Sequence, residues 1–198
     1  MAKKKLKSVD PPEVIELFEV IAELYPDADG FEGVIVRSVP VKYANKNDFF
    51  SGDGAAKSGG RWNRPGISVI YASLDVITTT HEAYQNIDTF GFPMTAIQPR
   101  VMAGGKATFG KVLDLTDAKV RAKIGFSLKE LVDEDWEAIQ ANGKESWTQA
   151  IGRGCLTAGF EAILVPSVRN KNGKNIVIFA DNLTGNEIKI LAPDKLPK

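Results

Sequence analysis

The residues of this 198-residue chain best suited to chemistry lie in one stretch, Ser58-Gly59-Gly60-Arg61-Trp62-Asn63-Arg64-Pro65-Gly66. Gly59 and Gly60 let the backbone bend sharply and approach a ligand closely. Arg61 follows at once, so its guanidinium is aimed into whatever cleft the bend creates, and a planar guanidinium suits a small anion. Trp62 can wall that cleft or pack beneath it. Pro65-Gly66 turns the chain into the next strand. That strand ends in Tyr71, and Glu82 lies eleven residues further on, about two turns into a helix. Taken alone, each residue has an ordinary reading. Arg61 would pair with a surface acid, Tyr71 would be a core tyrosine with a satisfied hydroxyl, and Glu82 would be a solvated helix residue.

Other glycine-rich stretches fail as nucleotide loops. Gly52 to Gly54 and Gly59-Gly60 do not form a GxGxxG run between a strand and a helix, and Gly104-Gly105-Lys106 lacks the flanking pattern of a phosphate loop. Gly152 and Gly154 fall inside an expected helix. Cys155 is the only cysteine and His81 the only histidine. They cannot build the usual thiol or imidazole zinc site. Cys155 as a nucleophile would need a nearby base, and a buried, inert thiol is the commoner case.

The bulk composition bounds the rest. With 25 basic and 25 acidic side chains the formal net charge is zero. That gives no electrostatic reason to expect direct nucleic-acid binding, although one or two arginines can still hold a small anion. Weak self-repulsion leaves a homodimer open. Hydrophobic residues make up 43% of the chain and charged residues 25%, as in ordinary soluble domains. A single cysteine fits a reducing compartment. The basic start is followed by no signal-length apolar run, and the apolar stretches are too short to cross a bilayer. The expectation is a soluble, cytoplasmic protein with no membrane partner.

The elements that must position these residues follow from patterning. After a loose tail (1–10), Asp10-Pro11-Pro12-Glu13 reads as a capped helix start. Val14, Leu17, Phe18, Ile21 and Leu24 continue it at helical spacing over 11–25. Strands are expected at 34–39, 67–71, 95–102 and 112–115, with a long polar loop at 45–60. Ser73 is read as the cap of a helix over 74–86. Ser127 and Glu130 have capping-box spacing and open a helix through Ile139; another helix spans 146–158. The C-terminal third gives strands at 162–168, 176–180 and 187–191, with Asn172-Gly173 as a hairpin turn. The class is α+β, without regular strand–helix alternation.

With these residues in view, the chain resembles the RES domain, a family named for an Arg, a Glu and a Ser. The run Gly59-Gly60-Arg61-Trp62-Asn63 with Pro65-Gly66, then an apolar strand ending in Tyr71, then a helical Glu82, is similar to the family's first motif. Leu113 to Thr116, the helix lead Thr148-Gln149-Ala150, Val165-Pro166-Ser167-Val168-Arg169, Gly173 and Asn175 to Phe179 are similar to its later part. The resemblance implies residues 34–198 as the RES domain, preceded by a tail and helix extension at 1–33. It also implies an ADP-ribosyltransferase-like fold, with central mixed and antiparallel sheets flanked by helices.

It further implies a toxin that consumes NAD⁺ by phosphorolysis or hydrolysis. The alternatives are ADP-ribosyl transfer to a protein or a non-catalytic interaction module. The family's catalytic residues map onto Arg61, Tyr71 and Glu82, and its substrate-binding Ser onto Ser167; Arg37 is a further substrate-binding candidate, because the implied fold often places a ligand-contacting residue in its first strand. No cofactor is implied: NAD⁺ is the substrate, with phosphate or water as co-substrate. The implied partner is an Xre-type antitoxin. The residue types fit, since a guanidinium grips pyrophosphate, a tyrosine ring stacks on nicotinamide, and a carboxylate stabilises an oxocarbenium-like ribose. The helix over 11–25 lies ahead of the usual domain start, and it could cover an exposed face, mediate dimerisation or meet the antitoxin.

Overall fold

A computed structural model describes residues 10–84, 99–185 and 187–197. Its strands are β1 (Phe31–Pro40), β2 (Val69–Ser73), β3 (Arg100–Phe109), β4 (Val112–Asp114), β5 (Ala162–Pro166), β6 (Lys174–Phe179) and β7 (Ile188–Ile190). Its helices are α1 (Pro12–Leu24), α2 (Asp53–Ser58), α3 (Val76–Ala83), α4 (Ala118–Lys123), α5 (Leu128–Asp133), α6 (Trp136–Ala141) and α7 (Trp147–Ala158). The described strands form one mixed sheet in the order β4-β5-β6-β2-β1-β3-β7. β4 and β5 run parallel, and every other neighbouring pair is antiparallel. The α+β class read from the sequence is the class found.

The sheet is buried on both faces at its centre because its central strands are apolar at successive positions. Val69, Ile163, Val165, Val177 and Phe179 face one side, where they pack with Leu17 and Ile21 of α1 and Ile151 and Cys155 of α7. Ile70, Ala72, Ile176 and Ile178 face the other, with Ile35 and Phe109. The one-residue alternation of the pleat thus builds two cores from the same strands.

The N-terminal helix covers α7. Leu17 and Ile21 are buried, and the Arg153 guanidinium lies 4.7 Å from the centre of the Phe18 ring. Asp10 is not the cap expected: Pro11 occupies that position without a side-chain bond. Asp10 instead takes two hydrogen bonds from Arg153, at 2.9 and 3.0 Å, and this pairing holds its carboxyl below the ordinary range. Gly152 in mid-α7 is explained by packing. A Cβ there would lie 1.8 Å from the Trp62 carbonyl oxygen.

Several boundaries differ from the sequence expectation. β2 runs on through Ser73, so Tyr71 sits mid-strand, and Asp75 caps α3 through Thr78 N. Ser73 cannot cap because it is paired in the sheet with Val36 and Asn175. The helix expected from Ser127 to Ile139 is two helices. Asp135 caps the second one through Ala138 N, and Ser127 makes the capping box on the first. The 45–60 loop contains α2. The strand expected at 95–102 is found from Arg100 and runs to Phe109; its first part, like residues 1–9 of the tail and 85–86 of the helix, lies outside the described residues. The β5–β6 hairpin is present, but its turn is longer than Asn172-Gly173, closing through Ser167 N to the Gly173 carbonyl at 2.9 Å.

Candidate active site

The arginine loop is fixed from beneath. Gly60 and Asn63 exchange backbone bonds at 2.9 and 3.3 Å, leaving Arg61 and Trp62 at the tip. Gly59 adopts φ 74°, the left-handed region that glycine tolerates. Asn63 is fully buried, and its Nδ2 donates to the carbonyls of Ala55, Arg64 and Ile67. Gln149 of α7 donates Nε2 to the Gly60 carbonyl at 3.1 Å and to the Asn63 carbonyl at 3.3 Å. Trp62 is 5% exposed and belongs to the core, so its role is to anchor the loop.

Tyr71 completes this frame. Its hydroxyl accepts from Trp62 N at 3.0 Å and donates to Asn63 Oδ1 at 2.8 Å. Burial pushes the phenol well above its ordinary pKa. The hydroxyl is therefore a neutral, doubly committed group, and what it leaves for a ligand is its ring.

The guanidinium of Arg61 reaches across to the end of α5, where Nη1 donates to the carbonyls of Leu131 and Glu134, both at 3.0 Å. Those are orphan acceptors of a helix end. The Glu134 carboxylate in turn accepts from Trp147 N and Thr148 N at the start of α7, at 2.7 and 2.9 Å. Arg61 is thus tied through one residue to the helix whose Gln149 holds its own loop. Burial lowers its pKa, against the raising pull of Glu134 and Tyr71.

Glu82 stands in the last turn of α3. Its Oε1 accepts from Ser167 Oγ at 2.6 Å and from Asn175 Nδ2 at 2.7 Å. Asn175 Oδ1 accepts from Ser73 Oγ at 2.7 Å, which fixes the amide's orientation. Ser167 Oγ also accepts from Arg169 N and Asn170 N, at 3.1 and 3.0 Å, so its proton is directed at Glu82. Both hydrogen bonds to the carboxylate fall on Oε1, leaving Oε2 for another donor.

These groups border one cleft of two lobes. The larger lobe, about 370 Å³, is lined by Arg61, Trp62, Trp136 and Arg169 among others. The smaller, about 250 Å³, is lined by Arg37, Ser38, Ser73, Thr79 and Arg100 among others. Tyr71, Glu82 and Asn175 line both lobes and form the junction. Arg61, Tyr71 and Glu82 therefore converge, Arg37 comes in from the opposite lobe, and Ser167 hydrogen-bonds Glu82 rather than lining a wall.

Asn175 and Arg100 were not singled out by the sequence. Asn175 opens the run similar to the family's later part but carries no expected role there, and Arg100 carries no motif at all. Among the described residues no cluster of three or more His, Cys, Asp or Glu is placed to hold a metal ion. No described helix is long and apolar enough to cross a membrane.

The family model described as RES domain matches residues 34–195. NAD(+) phosphorylase MbcT of Mycobacterium tuberculosis and of Mycobacterium bovis is 29% identical over 104 residues, covering 50% of this chain and 55% of the relative. The match thus spans about half the length of these curated relatives. A chain in the crystal structure of the M. tuberculosis MbcT–MbcA toxin–antitoxin complex superposes with a TM-score of 0.66 at 19% identity. The superposition covers 90% of this chain and 93% of that one, and it shows a shared fold.

Proposed function

Because this chain belongs to the RES domain family, we propose that it is a toxin-type enzyme that cleaves the nicotinamide–ribose bond of NAD⁺, with phosphorolysis as the leading reaction. The observation that carries this reading is the Glu82 carboxylate at the junction of two arginine-lined lobes, with Oε1 held by Ser167 and Asn175. The sequence relationship to proteins named NAD(+) phosphorylase supports it.

In this reading the dinucleotide lies in the larger lobe with its pyrophosphate against Arg61, a geometry suited to bidentate guanidinium contacts. Nicotinamide stacks on the exposed part of the Tyr71 ring. Glu82 Oε2 takes a hydroxyl of the nicotinamide ribose. As the C–N bond lengthens, positive charge moves from the pyridinium to the ribose. The fixed carboxylate stabilises that charge where it develops. The electron pair leaves with nicotinamide, which departs neutral and needs no acid. No cofactor is required of the protein: its side chains orient the substrate and stabilise charge, and phosphate or water supplies the new bond. Ser167 and Asn175 are positioning residues for Glu82.

The partner in this reading is an antitoxin of the Xre type. The neighbour from the MbcT–MbcA complex supports an antitoxin partner. We place the activity in the cytoplasm, where NAD⁺ is available.

The test is to incubate purified, antitoxin-free protein with labelled NAD⁺, with and without inorganic phosphate. Nicotinamide together with phosphate-dependent ADP-ribose-1″-phosphate is expected. Free ADP-ribose alone would mean hydrolysis, and a labelled protein band would mean transfer. NAD⁺ left intact for hours with phosphate supplied contradicts the proposal.

A further inference from the structure

The smaller lobe holds two guanidinium groups, Arg37 from β1 and Arg100 from β3. Neither has an ion-pair partner among the described residues. A guanidinium carries five N–H donors. Counting only bonds to described residues, Arg37 has one side-chain hydrogen bond, from Nη1 to the Ser51 carbonyl at 2.8 Å. Arg100 has two, from Nε to Ser38 Oγ at 2.9 Å and from Nη2 to the Ser38 carbonyl at 2.7 Å. No described buried side-chain nitrogen or oxygen lacks a partner, and both guanidinium groups line the open lobe. Ser38 Oγ accepts from Arg100, which leaves its own proton to donate. Two like charges share a small, partly buried cavity. Burial and the nearness of Arg100 hold Arg37 down to about 10, a desolvation cost that an anion in the lobe would relieve.

The charge of the lobe selects an anion: Arg37 and Arg100 both line it, and at about 250 Å³ it has room for a phosphate, whereas the other lobe adds Arg61 and the rings of Trp62 and Trp136. Glu82, Tyr71 and Asn175 stand where the lobes meet, so an anion on Arg37 and Arg100 adjoins the ribose that the larger lobe would present.

We infer that Arg37, Arg100 and Ser38 form the seat of the inorganic phosphate co-substrate, separate from the dinucleotide's pyrophosphate site. This rests on the NAD⁺-cleaving reading above and adds the position of the nucleophile to it. The step balances. A phosphate oxygen forms a bond to ribose C1″, the C1″–N bond to nicotinamide breaks, and its electron pair neutralises the pyridinium. Hydrogen phosphate and NAD⁺ give nicotinamide and ADP-ribose-1″-phosphate. The arginines hold the nucleophile's charge while it approaches, and Ser38 orients one oxygen.

The experiment pairs a binding measurement with kinetics. The whole protein is titrated calorimetrically with inorganic phosphate at constant ionic strength, against chloride, as wild type, Arg100→Gln and Arg100→Lys. Phosphate binding is expected in the wild type, lost in Arg100→Gln and partly kept in Arg100→Lys. In steady-state assays the KM for phosphate should rise at least about tenfold in Arg100→Gln, a loss of the size expected for a charge-assisted contact. The KM for NAD⁺ should move much less. Thermal unfolding checks that each variant folds, and Arg100→Lys keeps the charge where the Ser38 contacts are weakened.

The seat is overturned if Arg100→Gln binds phosphate as the wild type does, or if its KM for NAD⁺ rises as much as that for phosphate. The failures separate. Phosphate bound in an Arg100-dependent way by a protein that leaves NAD⁺ intact removes the enzymatic reading and keeps the anion site. NAD⁺ cleaved to ADP-ribose regardless of phosphate keeps the enzyme and removes the co-substrate seat.

Discussion

Ser167 and Glu82, 85 residues apart in sequence, meet through a 2.6 Å hydrogen bond in which the serine donates to Oε1. The bond is directional because two backbone N–H groups, those of Arg169 and Asn170, already donate to the same serine oxygen. A turn after β5 thereby sets the rotamer of a carboxylate on α3. Ser167→Ala removes one of the two donors to Glu82 and strands two N–H groups. It is expected to lower kcat/KM for NAD⁺ about tenfold and to destabilise the fold by about 1–3 kcal/mol. Kinetics and denaturant unfolding check the two effects. A variant with unchanged kcat/KM would remove Ser167 from the positioning role.

Asn175 is the second donor to Glu82, and its amide is oriented by Ser73. Asn175→Asp keeps the shape but sets a negative charge beside the carboxylate. Loss of the donor and repulsion between the two side chains should displace Glu82 from its place at the junction, lowering kcat/KM for NAD⁺ at least about tenfold. Unchanged kcat/KM would show that Asn175 does not act on the carboxylate.

Tyr71 bears on the loop more than on the reaction. Tyr71→Phe keeps the ring but leaves Trp62 N and Asn63 Oδ1 without their partner, in a buried setting. A stability loss of about 1–3 kcal/mol is expected. The KM for NAD⁺ should rise as Arg61 loosens, with kcat changed less. A large fall in kcat at unchanged stability would instead make the hydroxyl part of the chemistry.

Gly152 is the close approach that seats α7 beneath the arginine loop. Gly152→Ala would bring a methyl within 1.8 Å of the Trp62 carbonyl oxygen, and backbone on both sides cannot give way cheaply. The expected cost is roughly 3 kcal/mol or more, read as a large fall in melting temperature or as insoluble protein. A variant as stable as the wild type would mean that α7 and the loop are not packed as described.

What the sequence discloses of this site follows the locality of the signals. Gly59 to Gly66, Tyr71 and Glu82 are close in sequence and form the family's first motif, so the resemblance made their shared cleft legible. Ser167 was legible through the motif around it. Asn175 and Arg100 were not, because each is an ordinary residue on a strand whose meaning comes only from its neighbours across the sheet. The split at Asp135 was hidden for a related reason. The apolar period from Ser127 to Ile139 reads as one helix, but long-range bonds override it: Arg61 takes the carbonyls of Leu131 and Glu134, and the Glu134 carboxylate takes the start of α7. Ser73 reads as a cap in isolation because its strand pairing cannot be seen in a single segment, whereas Asp75, two residues on, is the side chain that caps α3.

The central claim is that a fixed carboxylate at position 82 stabilises positive charge on the ribose as nicotinamide leaves. Glu82→Gln keeps the size of the side chain and an oxygen for Ser167 and Asn175 while removing the charge. Its rate of nicotinamide release from saturating NAD⁺, measured beside the wild type with phosphate supplied, is the most direct test. The account predicts a fall of at least about a hundredfold, the scale for loss of one preorganised electrostatic contact, with NAD⁺ affinity within a few-fold of wild type. Nicotinamide released by Glu82→Gln at a rate near that of the wild type would contradict it.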